Sequence, residues 1–120
     1  MGMFDFVEVE EMFQIEGCPP ILPITNYQTK SLRNELKKYS LAEALKEFGE
    51  GGLCEEENFR LYCVFDEKLL QEFLDDKEIN QACLFWIDAF SDSARSEWLE
   101  YSLLVERGKI KKVEMRVIRR

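Results

Sequence analysis

The chain has 120 residues, 46% of them hydrophobic and 12% aromatic, which predicts one folded domain spanning residues 1–120 and excludes a disordered chain. Acids outnumber bases by 24 to 16, so the net charge is −8, and direct binding to nucleic-acid phosphates is not expected. Histidine is absent, which excludes Ser-His-Asp and Cys-His catalysis and histidine metal sites.

The first third of the chain predicts a strand, an irregular loop and a short helix. Residues 4–13, FDFVEVEEMF, have the aromatic and β-branched content of a strand. Three prolines within residues 17–26 predict an extended connection without regular structure. Residues 31–39, SLRNELKKY, favour a helix because Ser31 can cap it and its leucines recur on one side.

The next segments carry the clearest local signals. Ser40 and Glu43 have the spacing of a capping box, which predicts a helix over residues 40–49 that Gly49 ends in the left-handed conformation. Residues 58–66, NFRLYCVFD, alternate apolar and polar side chains and predict a strand. Asp66 is then placed to cap a third helix with the sequence EKLLQEFLDDKEINQ.

The last third predicts more strands. Residues 82–90, ACLFWIDAF, are apolar on nearly both faces, which indicates a central strand, and a turn or loop follows over residues 91–97. Residues 98–118 alternate, turn at Gly108 and alternate again, the pattern of a hairpin. The sum is an α+β fold: a mostly antiparallel sheet of about five strands, with two or three short helices packed on one face.

The four cysteines predict free thiols in a reducing cytoplasm. They are scattered, without a C-x-x-C pair, and Cys63 and Cys83 lie in apolar runs where a small core residue is expected. The N-terminal segment MGMFDFVEVEE has neither the basic region nor the apolar stretch of a signal peptide, and no membrane association is expected.

Three stretches resemble a family of small, uncharacterised proteins of tailed phages and prophages. MGMFDFV corresponds to an M-G-x-F-D start, YQTKSL to a Q-T-K-x-L element, and WLEYSLLVERGKIKKVEM to a C-terminal W-x-E-Y strand with a Gly turn. The resemblance covers under half of the chain and implies a protein that acts in the cytoplasm of a bacterial host cell. It implies no catalytic residues and no cofactor.

Candidate sites are few. No spacing of carboxylates or cysteines predicts a catalytic, cofactor or metal site. Trp98 precedes a core residue and is expected to point outward, and Tyr62 is in a similar position on its own strand, so both are candidate interface residues. Gln28, Thr29 and Lys30 follow the stiff prolines and form a third candidate, although a turn that uses their side chains internally is the simpler interpretation.

We therefore expect a non-enzymatic phage or prophage accessory protein that binds another protein, such as a host factor or a defence component. The alternatives are an acidic mimic of nucleic acid and a carboxylate-based metal-binding or enzymatic module. A homodimer is a further expectation, since a small sheet leaves edges to be covered.

Overall fold

A six-stranded sheet forms the frame of the protein. The structure, a computed structural model, describes residues 3–50 and 58–116. Its strands are β1 (Asp5–Glu8), β2 (Tyr27–Thr29), β3 (Lys38–Ser40), β4 (Asn58–Val64), β5 (Trp98–Glu106) and β6 (Lys109–Arg116). They lie in the order β3-β1-β2-β4-β5-β6, and every pair is antiparallel except β1 and β3, which are parallel.

Helices cover one face of this sheet. They are α1 (Leu41–Glu50), α2 (Glu67–Leu74), α3 (Lys77–Cys83) and α4 (Ile87–Ser96), with a 3₁₀ turn at Leu84–Trp86 between the last two. Alternate residues of the central strands, such as Phe59, Leu61 and Cys63, share one core with helix residues such as Phe90 and Ala94. The predicted α+β architecture with a mostly antiparallel sheet is confirmed.

Side-chain caps start three of the helices. The Ser40 hydroxyl accepts the Glu43 amide at 3.2 Å, so the predicted capping box is present. The Asp66 carboxylate accepts the Leu69 amide at 2.8 Å. Asp76 accepts two amides in the same way and begins α3, so the segment predicted as one helix after Asp66 is two helices.

Gly49 does not end α1 as predicted. The helix includes it and continues to Glu50. A Cβ at Gly49 would stand 3.4 Å from the amide nitrogen of Gly108, an ordinary van der Waals contact, so α1 packs beside the hairpin turn at this position. That turn is as predicted: Gly108 has φ 75°, and β5 and β6 pair on either side of it.

The helix predicted over residues 31–39 is wrong. Asn34 and Leu36 have φ near 60°, and Lys38–Ser40 forms β3 beside β1. The cause is distant in sequence: the buried carboxylate of Asp5 accepts backbone amides of this segment and holds it in turns. A tertiary contact has overridden a weak local preference.

The strand predicted over residues 82–90 and the turn predicted over residues 91–97 are also wrong. Cys83 ends α3, and the chain passes through the 3₁₀ turn into α4. A short run that is apolar on both sides fits a buried helix as well as a buried strand, so periodicity could not decide between them. Glu97, in the left-handed conformation with φ 66°, then ends α4 and leads into β5.

Two buried tyrosines fix the proline-containing loop to the sheet. The Tyr101 hydroxyl donates to the carbonyl of Pro20 at 2.7 Å and accepts the Leu22 amide at 3.2 Å. The Tyr27 hydroxyl donates to the Leu22 carbonyl at 2.7 Å. The loop is irregular, as predicted, apart from one bridge between Phe13 and Ile21.

Candidate protein-interaction surface

The face of the sheet that points away from the helices is a continuous surface, here called the open face. Directly paired residues of neighbouring strands point to the same side of a sheet. One such row crosses all six strands: Lys38, Phe6, Gln28, Tyr62, Glu100 and Arg116. The alternation of each strand places further residues on the same face, among them Val64 and Trp98.

Aromatic and apolar side chains form a patch on the open face, reaching from Phe6 to the end of the β4–β5 ladder at Val64 and Trp98. The rings of Tyr62 and Trp98 lie 6.3 Å apart, on neighbouring strands. Val64 is the cross-strand partner of Trp98 and is 60% exposed. On β1, Phe6 is half-buried and packs edge-to-face on Phe4 at 5.1 Å. This combination of rigid rings and an exposed aliphatic side chain is typical of protein-interaction surfaces.

The structure brings three of the five predicted interface residues together. Gln28 pairs with Tyr62, and Tyr62 contacts Trp98. Lys30 is exposed, just beyond the end of β2. Thr29 is different: it is fully buried, and its hydroxyl accepts the amide of Ser31 at 3.2 Å. The internal role considered for this residue is what the structure has, and Thr29 contributes nothing to the open face.

Some apolar positions were missed. Phe6 points outward between buried Asp5 and Val7, and the sequence gives no signal for this, because alternation of polarity would place the aromatic ring inside and the carboxylate outside. Phe85 was placed in a buried strand, whereas it is 94% exposed in the 3₁₀ turn, beside exposed Leu84. No local signal distinguishes these turn residues from their buried neighbours.

Charges of both signs are mixed on the open face. Its cations include Lys38, Arg60, Lys112 and Arg116, and its anions include Glu8, Glu100 and Glu114. Two ion pairs join members of this set, Lys38–Glu8 at 3.9 Å and Lys112–Glu114 at 2.8 Å. The open face is therefore close to neutral in a chain whose net charge is −8.

Part of the excess negative charge surrounds a cleft elsewhere. Glu10, Glu11, Asp76 and Glu78 line this cleft of about 420 Å³. The Asp76 carboxylate already accepts amides of α3, so one of the four is a helix cap. Within residues 3–50 and 58–116, no group of three or more acidic or cysteine side chains has the geometry to hold a metal ion. Residues 55–57, three further acids that bear on nucleic-acid mimicry, lie outside the described residues.

The described cysteines do not form a reactive site. Cys18, Cys63 and Cys83 are all free thiols. Burial raises the pKa of Cys63 to about 12 and the pKa of Cys83 to about 11. Because the thiolate is the nucleophile, both buried thiols are inert at neutral pH. Their expected role as small core residues is confirmed by their exposures of 2% and 1%.

Asp5 is a buried carboxylate with a structural role. One oxygen accepts the Asn34 amide at 2.8 Å, and the other accepts the amides of Glu35 and Lys37 at 2.9 and 3.0 Å. These three bonds satisfy the carboxylate and use it to hold the chain that leads into β3. Both oxygens of the carboxylate therefore have backbone amides as partners.

Comparisons with known proteins identify no relative of this chain. No protein-family model matches the chain, and no curated protein or solved structure is significantly similar to it. In the described part of the chain, none of the helices has the length and apolar character needed to cross a membrane.

Proposed function

We propose that this chain is a non-enzymatic interaction protein that binds another protein through its open face. The single observation behind this proposal is the cluster of exposed Val64 with half-buried Tyr62 and Trp98 on the paired strands β4 and β5. A preorganised aromatic surface loses little conformational entropy on binding, which is the property expected of an interface centre.

The chemistry of the open face supports one class of partner. A near-neutral surface with an apolar patch and charged surroundings fits a protein surface of the same kind, with an apolar contact region and mixed charges around it. Phosphate backbones are poor partners for this face, because its cations are matched by neighbouring carboxylates. The partner proposed here is a folded protein of the bacterial host, such as a host factor or a defence component.

The resemblance to tailed-phage and prophage proteins supports the biological setting. Two of its three motifs now have a structural meaning: Asp5 of the first motif holds the turn that follows the QTK element, and Trp98 of the last motif lies on the open face. We propose that the protein acts as an accessory protein in the cytoplasm of an infected or lysogenic cell.

The test is quantitative capture from such cells with matched variants. The wild-type chain is compared with Val64→Lys, which places a charge in the apolar patch at an exposed position where the stability cost is small. Phe85→Ser is the control, since it removes an even more exposed apolar side chain from the 3₁₀ turn, which is not part of the sheet. A partner retained by the wild type and by Phe85→Ser but lost by Val64→Lys supports the proposal.

A photo-crosslinking amino acid introduced at position 64 gives an independent readout, because it reports contact and not stability. Crosslinking of the captured partner from position 64 but not from position 85 is the expected result. Equal retention by all three proteins, or a crosslink from position 85 alone, contradicts the proposal. If position 64 crosslinks only to a second copy of the chain, and sedimentation shows a dimer, the open face is a homodimer interface and the proposed function is wrong.

A further inference from the structure

Positive charge is concentrated at one end of the chain. Residues 107–116 contain five basic residues and one acid, Glu114, whereas the whole chain has 24 acids and 16 bases. The basic residues are Arg107, Lys109, Lys111, Lys112 and Arg116, and all five are exposed. Within the described residues, only Lys112 among them forms an ion pair, with Glu114 at 2.8 Å.

These residues belong to the turn before β6 and to β6 itself, the longer of the two edge strands. β6 has 8 residues, with a bulge at Lys111, and pairs with β5 on one side only. In the described part of the chain, no other backbone segment and no side chain forms a hydrogen bond with the backbone of β6. Edge strands of this length are templates for a further strand, because their outer amides and carbonyls have no partner.

A basic cleft continues this edge beyond the start of β6. It has a volume of about 420 Å³, and Lys46, Arg107 and Lys109 contribute its charged lining together with Gly49 and Gly108. No acidic side chain of the described residues lines it. Lys46 of α1 therefore adds one more cation to the positive edge.

We infer that the outer edge of β6 accepts an extended, acidic segment of a partner protein, which adds to the sheet as a seventh strand. Backbone hydrogen bonds to β6 supply the affinity, and the lysines and arginines of the edge select carboxylates. This edge shares Lys112 and Arg116 with the open face, but it does not use Tyr62, Val64 or Trp98, so the inference does not depend on the proposed function of those three residues.

The same charges decide against a second copy of this chain. Pairing β6 with β6 of another molecule would place lysines and arginines of both strands beside each other, and like charges directly opposite are destabilising. Lysines on an edge strand are a recognised protection against self-association. An acidic strand would be attracted by the same lysines and arginines. The charges of β6 therefore disfavour a second copy of β6 and favour an acidic segment.

The test uses the full chain and a fluorescent peptide of about ten alternating Glu and Thr residues, a length that matches an edge strand. A second peptide has the same sequence and charge, but its peptide nitrogens are methylated at successive residues, so that neither of its two edges can form a ladder. The expected result is that methylation weakens binding by about tenfold or more. We also expect slower amide hydrogen exchange in β6 when the unmethylated peptide is bound.

Variants assign the charge selection to this edge. Lys111→Glu is expected to weaken peptide binding by about threefold to tenfold at low salt, whereas Lys77→Glu, the same charge change on an exposed residue of α3, has a smaller effect. The comparison of the two peptides on the wild-type chain needs no variant and remains decisive if Lys111→Glu does not fold.

Four results would overturn the inference. The first is no binding of the acidic peptide. The second is equal affinity for the methylated peptide, which would mean that charge alone attracts it. The third is tighter binding of an oligo-dT strand of equal charge, which would identify the edge as a nucleic-acid contact. Concentration-dependent protection of β6 without peptide would show self-pairing and would also contradict it.

Discussion

The most demanding prediction concerns the carboxylate of Asp5. Asp5→Asn keeps the size of the side chain but replaces one acceptor oxygen with an amide that can only donate. In the wild type the two oxygens accept three backbone amides, from Asn34, Glu35 and Lys37, at 2.8 to 3.0 Å. The asparagine oxygen can still accept two of them, and its nitrogen then faces the third amide, donor against donor.

The magnitude follows from the burial of the site. Asp5 is fully buried, so the unpaired amides have no access to water through its side chain. A hydrogen bond to a charged group contributes about 1.5–3 kcal/mol, and a buried donor left unsatisfied costs about 1–3 kcal/mol. We therefore expect Asp5→Asn to lower the free energy of unfolding by about 2–3 kcal/mol, or Tm by roughly 8–12 °C in a domain of this size.

The assay is urea unfolding followed by circular dichroism, with hydrogen exchange of residues 34–37 as a local readout. Asp75→Asn is the matched control: its carboxylate is exposed and, among the described residues, accepts only the Gln71 side-chain amide, at 3.0 Å. We expect a change below about 0.5 kcal/mol for this control. If the two variants unfold at the same urea concentration, the carboxylate does not hold the turn, and the explanation given for the misplaced helix is wrong.

Three further predictions test other parts of the fold. Gly49→Ala should stabilise α1 by about 0.5–1 kcal/mol, because alanine has the higher helix propensity and its Cβ would stand 3.4 Å from the nearest atom. Gly108→Ala should instead destabilise the turn by about 1–2 kcal/mol, because its φ of 75° is strained for alanine. Thermal unfolding of the two variants compares them directly. Tyr101→Phe removes a hydroxyl that bonds two backbone groups of the proline-containing loop and should cost about 1–3 kcal/mol in urea unfolding, with faster proteolysis of that loop. Burial raises the pKa of Cys63 to about 12 and of Cys83 to about 11 in the folded chain, whereas an unfolded thiol has a pKa near 9.0. The free energy of unfolding should therefore fall as the pH rises from about 9 to 11. Cys63→Ala should reduce the slope of that fall. Equal slopes in the two proteins would contradict the assigned burial.

Several elements were predictable because their determinants are local. The capping box of Ser40, the cap at Asp66 and the turn at Gly108 each involve residues within a few positions of one another, and all three are present. The alternation over residues 58–64 and 98–106 likewise reports which face of a strand is buried. The same alternation correctly placed Tyr62 and Trp98 outward.

The errors have a common physical origin. Residues 31–39 have a moderate helical pattern, but a carboxylate about thirty positions earlier binds their amides, and no local rule contains that contact. Residues 82–90 are apolar on both sides, and whether such a run is a helix or a strand depends on what packs around it. The break between α2 and α3 is different, because its determinant, the N-cap Asp76, is local and lies within the segment itself.

Local chemistry by itself therefore determined the hairpin, the caps, the outward side of β4 and β5, and the excess of positive charge after residue 106, since each of these depends on neighbours along the chain. Only the tertiary structure decided that Phe6, Gln28 and Tyr62 stand side by side, and that β6 has an unpaired edge. These facts depend on the order and register of strands that are far apart in sequence. Such pairings are selected by the packing of the whole core, and a pattern read within one segment does not contain them.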